Sequence, residues 1–177
     1  MSIDFKITES KNIKDLMIVK PSVSSDIRGT IWTSYHKNEI ECLLPEGLSF
    51  KHDKFSESKK NVLRGIHGDD KTWKLVSSVY GKIYQIVVDL REWSPTYMKW
   101  DGFIISKENQ ISILIPPNFG NAYCVLSDRA VYHYKLAYKG GAYNDFNNQF
   151  VLKWNDKRLG IKWPIDRPML SERDLSE

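Results

Sequence analysis

The sequence predicts an all-β protein: an antiparallel β-sandwich or jelly roll with short peripheral helices. Three observations carry this. Short runs rich in β-branched and aromatic residues recur along the chain, several of them alternating with the period of two of half-buried strands. Turn-forming residues separate the runs: Gly29, Gly68-Asp69-Asp70, Tyr80-Gly81, Ser94-Pro95, Pro116-Pro117-Asn118 and Gly140-Gly141. No amphipathic helix of roughly 10–15 residues stands between them, which argues against a doubly wound parallel sheet.

Taken in order, strands are predicted at Met17–Val19, Leu48–Phe55, Val62–His67, Trp73–Val79, Ile83–Asp89, Met98–Ile105, Ile111–Ile115, Ala122–Leu126 and Ala130–Leu136. His36–Leu43 and the stretch from Ser171 to the end read as short helices. A chain of 177 residues suffices for one domain with one sizeable core, so a single domain over 1–177 is expected. The edge-like strands of the N-terminal third can pair with, or exchange into, a partner subunit.

Charge and composition narrow the function. Lys and Arg number 26 against 22 Asp and Glu, a net charge of +4. This mild balance weakly favours anionic small molecules and argues against nucleic acid. No apolar run approaches the roughly 18 residues that span a bilayer, and the first residues mix charges with apolar groups, unlike a secretory leader. A cytoplasmic protein with no membrane partner is expected. Cys42 and Cys124 lack metal or redox spacing and read as structural thiols. Six tryptophans and nine tyrosines supply packing, with room for stacking on a sugar or base.

The chemistry concentrates in Asn61-Val62-Leu63-Arg64-Gly65-Ile66-His67, followed by Lys74. A guanidinium, an imidazole and an ammonium near one concave surface suit an anionic substrate and proton transfer. A strand-end histidine is held firmly yet reaches a pocket, and its ordinary pKa near 6.5 suits a general base. Gly65 permits close backbone approach, and Gly68 is expected to end the strand. Arg64 is a bidentate phosphate donor or a snorkelling strand-edge residue. Lys74 is a compact charge for a developing enolate, or equally a strand-edge lysine. Arg28, in Asp26-Ile27-Arg28-Gly29, is a phosphate ligand or a turn residue paired with Asp26. Tyr132 and Tyr134 share one strand face, with His133 on the other. Tyr134 can exchange a proton if cations lower its pKa, or can be core. Asp174, three residues after Ser171, is either a helix-capping acid or a buried carboxylate that orients a histidine. The other histidines, His36, His52 and His133, are scattered and do not compose a metal site.

Beyond these local signals, ordered blocks from about position 17 to 175 resemble the dTDP-4-dehydrorhamnose 3,5-epimerase family. They include Asp26-Ile27-Arg28-Gly29, Lys59 to His67, Lys74-Leu75-Val76, Val88-Asp89-Leu90-Arg91, Ser94-Pro95-Thr96, Ile115-Pro116, Trp154-Asn155-Asp156, Leu159 to Pro164 and Leu170-Ser171-Glu172-Arg173-Asp174. The resemblance implies a cupin-like jelly roll, a homodimer, no metal and no other cofactor. It implies that His67 is the base, Asp174 its dyad partner, Lys74 the enolate-stabilising cation and Tyr134 the acid on the opposite face. Arg28 and Arg64 are implied to grip the substrate, mostly its diphosphate.

Three departures from the family pattern stand out. Phe119-Gly120-Asn121-Ala122-Tyr123 places Asn121 where the family has a pocket histidine. His52 and Lys54 replace a glutamine and an asparagine. A second tyrosine has no clean match near Gly140-Gly141. The stretches Phe50-Lys51-His52-Asp53-Lys54-Phe55, Gly65-Ile66-His67-Gly68-Asp69 and Pro116-Pro117-Asn118-Phe119-Gly120-Asn121 resemble a branch acting on GDP-linked 4-keto-heptoses in capsular polysaccharide biosynthesis. The expectation is therefore an epimerase of a GDP-linked 4-keto-heptose, with His52, Lys54 and Asn121 as further substrate contacts. The alternatives are C3-only epimerisation of that substrate or ordinary dTDP-4-dehydrorhamnose 3,5-epimerisation. A silent sugar-binding jelly roll and a metal-dependent cupin dioxygenase are the rivals from other classes.

Overall fold

The computed structural model describes residues 3–141, 143 and 149–175. Its strands are β1 (Phe5–Glu9), β2 (Met17–Pro21), β3 (Val23–Asp26), β4 (Gly29–Trp32), β5 (Phe50–Lys59), β6 (Leu63–Asp69), β7 (Trp73–Tyr80), β8 (Lys82–Asp89), β9 (Trp100–Ser106), β10 (Ser112–Ile115), β11 (Phe119–Val125), β12 (Arg129–Ala137) and β13 (Gln149–Val151). The helices are α1 (Lys37–Ile40), continued by a 3-10 turn at Glu41–Leu43, and α2 (Glu172–Leu175). Residues 176–177 of the second expected helix lie outside the described residues.

The strands form an antiparallel jelly-roll-like arrangement without a closed barrel. One sheet runs β1-β2-β10-β7-β12-β5, the other β13-β6-β11-β8-β9, and β3-β4 form a separate hairpin. Period-two alternation assigns the faces. Ile113 and Ile115 of β10 join the cluster between the sheets, with Val76, Ile83, Val87, Phe119, Tyr123 and Tyr132. Leu114, between them in sequence, joins a second cluster with Val19, Ile40, Leu75 and Ala137, so α1 covers the outer face of the six-stranded sheet. On the other sheet, Ile66, Ile86, Val88 and Ala122 pack with Leu159, Trp100 and Trp163. The long segment after β13 thus serves as a lid of side chains over that outer face.

Four strands were not legible in the sequence. β1 is an edge strand, β13 has three residues, and β3 and β4 are short and largely exposed. β1 and β2 join the six-stranded sheet through β10 of the same chain. The β3–β4 hairpin contributes to none of the three core clusters, and Ile27 and Ile31 on it are exposed.

One irregularity in β6 positions the site. Asn121 of β11 pairs with His67, and Tyr123 pairs with Arg64. Two steps along β11 therefore match three along β6, so β6 carries one extra residue. This β-bulge turns Arg64 and His67 to the same side, although a regular strand would hold them on opposite faces. Gly65 lies inside it with φ +122°, and a Cβ there would lie 2.5 Å from Ala122 Cβ and 2.6 Å from the Asn121 carbonyl oxygen. Only glycine meets both conditions. The strand continues through Gly68 to Asp69 instead of ending at Gly68, because Gly68 still pairs with Phe150 of β13.

Gly65→Ala tests this arrangement. Both the positive φ and the close approach oppose a methyl group, so the variant should lose more than about 1 kcal/mol of stability. Urea unfolding followed by fluorescence reads the change. A variant as stable as wild type would show that the bulge tolerates a side chain.

Candidate active site

The bulge opens onto a cavity of about 390 Å³ between the two sheets. Its lining includes His67, Arg64 and Asn121 from the five-stranded sheet, Lys54, Lys74 and Tyr134 from the six-stranded sheet, and Asp174 from α2. Seven of the nine residues singled out in the sequence therefore meet in one place.

His67 Nε2 lies 2.6 Å from Asp174 Oδ1. The His67 side chain is 25% exposed and that of Asp174 only 2%. Burial raises the Asp174 pKa, but hydrogen bonds from His67 and Ser171 outweigh it and hold the carboxyl below its ordinary value. An ionised carboxylate accepts only, so Nε2 carries the hydrogen of this contact and Nδ1 is the basic nitrogen. Ser171 Oγ donates to Asp174 Oδ2 at 2.8 Å, and the Asp174 main-chain N–H donates back to Ser171 Oγ at 3.3 Å. Asp174 thus contacts both groups: one oxygen accepts the Ser171 hydroxyl at the start of α2, and the other meets the histidine.

Lys74 Nζ contacts Asp69 Oδ2 at 2.8 Å, each side chain 9% exposed. Asp69 Oδ1 accepts the Lys71 and Thr72 main-chain N–H groups, so the β6–β7 turn wraps around this carboxylate. Burial raises the Asp69 pKa, and the Lys74 charge and these hydrogen bonds bring it below the ordinary value. Asp69 was read only as a turn residue. The signal that marks it is an acid followed two and three residues later by main-chain donors, the pattern of an Asx turn.

Tyr134 faces the cavity while Tyr132, on the same strand face, is wholly buried. His133 points the other way, to Asp53 at 2.6 Å. The sequence suggested that cations lower the Tyr134 pKa. The opposite holds: burial pushes the phenol well up, neighbouring Tyr123 adds to this, and Arg64 opposes it too weakly. Tyr134 is therefore a protonated phenol at neutral pH.

The remaining residues divide. Lys54 lies over the ring of Tyr143 at 5.0 Å, and burial lowers its pKa. Tyr143 lines the cavity just after Gly140-Gly141, where no second tyrosine was recognised. His52 stands behind it, its ring 5.1 Å from Tyr143 and its Nδ1 3.1 Å from the Tyr138 hydroxyl, and does not line the cavity. Arg28 is also elsewhere: it sits on the exposed β3–β4 hairpin, paired at 2.5 Å with Asp26. Arg173, 3.0 Å from Gln149, lines the cavity and escaped notice inside the Ser171–Asp174 block. Among the described residues no group of three or more His, Cys, Asp or Glu could hold a metal ion, and no helix is long and apolar enough to cross a membrane. Cys42 and Cys124 are unpaired.

The profile of the dTDP-4-dehydrorhamnose 3,5-epimerases matches residues 10–177. The chain belongs to this family. It is a sugar-nucleotide epimerase. The dTDP-4-dehydrorhamnose 3,5-epimerase of Shigella flexneri is 36% identical over 167 residues, 93% of this chain and 90% of the relative. The crystal structure of dTDP-6-deoxy-D-glucose-3,5-epimerase from Legionella pneumophila, in complex with dTDP-4-keto-L-rhamnose, superposes with a TM-score of 0.88 at 34% identity, covering 98% of this chain and 91% of the other. The enzyme of Elizabethkingia anophelis gives 0.85 at 35% identity, covering 96% and 93%.

These relatives correct the expectation of a GDP-linked heptose and a capsule pathway: their names place them in the dTDP-linked series. The departures that prompted it have local physical explanations. Asn121 is one member of a hydrogen-bonded set, His52 packs behind the wall, and Lys54 lies over an aromatic ring. None of these contacts specifies a nucleotide.

Asp69→Asn isolates the buried pair. It leaves the Lys74 ammonium without its counter-charge and should cost on the order of 3–5 kcal/mol of stability at pH 7. Because the Asp69 pKa is lowered by folding, its contribution is present above the unfolded carboxylate value of about 3.9 and fades as pH falls through the lower folded value. The difference between wild type and variant should therefore shrink in acid. Urea unfolding between pH 7 and pH 3 reads it, and a pH-independent difference would contradict the pairing.

Proposed function

We propose that this chain is a dTDP-4-dehydrorhamnose 3,5-epimerase, inverting C3 and C5 of a dTDP-linked 4-keto-6-deoxy sugar. The observation that carries the reading is the His67–Asp174 pair on one wall of the cavity, with Tyr134 and Lys74 on the other. A ketone at C4 makes the hydrogens at C3 and C5 acidic. His67 removes one, and Asp174 stabilises the imidazolium that results. Lys74 meets the negative charge that develops on O4, and Asp69 holds that ammonium in position. Tyr134, a protonated phenol, returns a proton to the carbon from the opposite face. The carbon inverts; the His67 imidazolium then releases its proton to solvent and the Tyr134 phenolate takes one up, which resets both groups.

Arg64 at the bulge is the cation for the diphosphate, with Lys54 and Asn121 contacting sugar or phosphate oxygens. Arg28 lies outside the His67 cavity of its own chain and would reach one in a homodimer whose β3–β4 hairpin crosses to the second subunit. That reading is supported by a hairpin outside every core cluster, with apolar Ile27 and Ile31 exposed. C3-only inversion is the second reading. It is favoured by the dTDP-4-dehydrorhamnose 3-epimerase of Streptomyces niveus, 30% identical over 92% of this chain and 78% of the relative.

Incubation with dTDP-4-keto-6-deoxyglucose in heavy water, followed by NMR, tests the assignment. Deuterium at C3 and C5 is expected; deuterium at C3 alone would select the second reading, and none at either would refute both. His67→Asn should abolish exchange, a loss of at least about 10²-fold for a positioned base. Tyr134→Phe should still exchange hydrogen while forming little inverted product. Equal loss of both would refute the division of labour.

Charge on the enolate is assigned to Lys74, so Lys74→Ala should cut turnover by about 10²-fold or more. Chelator treatment of wild type should leave turnover unchanged. Activity lost to chelator and restored by Fe²⁺ or Mn²⁺ would overturn the role of Lys74.

A further inference from the structure

Behind the cavity wall, Asn121 is joined to a buried polar pair, Gln85 and Tyr132, to which the proposed mechanism assigns no role. Gln85 of β8 is wholly buried. Its Nε2 donates to the Ile86 carbonyl at 2.9 Å and to Asn121 Oδ1 at 2.5 Å. Its Oε1 accepts the Tyr132 hydroxyl at 2.7 Å, and that hydroxyl is also 3.3 Å from Asn121 Oδ1. The direction of this chain is determined. A main-chain carbonyl only accepts, so the Gln85 nitrogen must face Ile86, and both its hydrogens are then used. Asn121 must turn its oxygen to Gln85. Its amide nitrogen is left for the cavity, where no acceptor among the described residues meets it. Asn121 stands directly opposite His67 in the β6–β11 pairing.

We infer that Gln85 is a positioning residue that sets the polarity of Asn121, so that Asn121 offers only hydrogen-bond donors to a substrate oxygen beside the carbon that His67 deprotonates. The inference rests on the epimerase reading of this cavity. The ligand class follows from the donor set: a neutral hydroxyl or carbonyl oxygen with a lone pair free. The contact carries no charge and does not titrate, unlike a histidine at the same place. A reversed amide would turn its own lone pairs on that oxygen. Leaving a buried polar group so mismatched is the means by which a site rejects the wrong substituent pattern.

The test uses the intact enzyme with dTDP-4-keto-6-deoxyglucose. Gln85→Met removes the donor that holds the Asn121 oxygen and should raise KM about fivefold, with kcat within about twofold, as for loss of one uniform binding contact. Asn121→Asp is isosteric, places an acceptor in the cavity and should raise KM about tenfold or more. The double variant should resemble Asn121→Asp alone, because the group that Gln85 orients is already gone. Additive losses, or an unchanged KM in either folded single variant, would overturn the inference. A purely structural role would lower thermal stability without this coupling.

A second measurement needs no substrate and so separates this inference from the assigned function. The side-chain amide NMR signals of Gln85 and Asn121 are identified by their loss in the two single variants. The Gln85 pair should be protected from hydrogen exchange and the Asn121 pair should exchange rapidly with solvent. The reverse order would mean that Asn121 faces inward, and would sink the proposal even if the enzyme turns over.

Discussion

Two adjacent strands that differ by one residue over the same distance set the chemistry of this protein. Between the His67 and Arg64 pairings, β6 contains one residue more than β11, and the excess is absorbed at Gly65 with φ +122°. A regular ladder would send either Arg64 or His67 into the packing of Ile66, Ile86 and Ala122 on the outer face. The bulge instead sends both into the cavity while Ile66 remains outside. The two groups proposed as phosphate-seeking cation and proton acceptor thus come from four consecutive residues of one strand. The rigidity of the sheet on either side then holds them in fixed relation.

A second regularity is electrostatic. Each group proposed to handle charge on the sugar is backed by a buried carboxylate: His67 by Asp174, Lys74 by Asp69. These carboxylates come from different parts of the chain, one from the last helix and one from the end of β6. Both have pKa values held below the ordinary range, so both are ionised wherever the enzyme works. Tyr134 receives the opposite treatment, its phenol pushed up by burial. One cavity therefore holds a carboxylate-backed imidazole on one wall and a protonated phenol on the other.

The aromatic residues divide along the same boundary. Tyr123 and Tyr132 stack at 4.1 Å in the core, and Tyr132 meets Tyr134 edge-on at 4.6 Å. Core packing thus sets the angle at which the proposed acid enters the cavity. Tyr143, with Lys54 over its ring, also lines the cavity.

Sequence alone determined the all-β architecture, because period-two alternation and turn chemistry are local properties that survive without knowledge of partners. It also singled out His67, Lys74, Tyr134 and Asp174, which line one cavity in the fold, because each sits in a stretch whose residue types carry their own chemistry. It did not determine which groups meet. Arg64 and His67 share a face only because β11 forces a bulge on β6, a matter of pairing between strands far apart in the chain. Asp69 looked like one turn acid among others until Lys74 folded against it. Gln85 was invisible as a polar residue in an apolar strand, since its partners Asn121 and Tyr132 come from two other strands. Arg28 shows the converse: a motif legible in sequence that lies on an exposed hairpin away from the cavity. The physical reason is the same in each case: hydrogen bonds and ion pairs across sheets depend on register and burial, which local sequence does not encode.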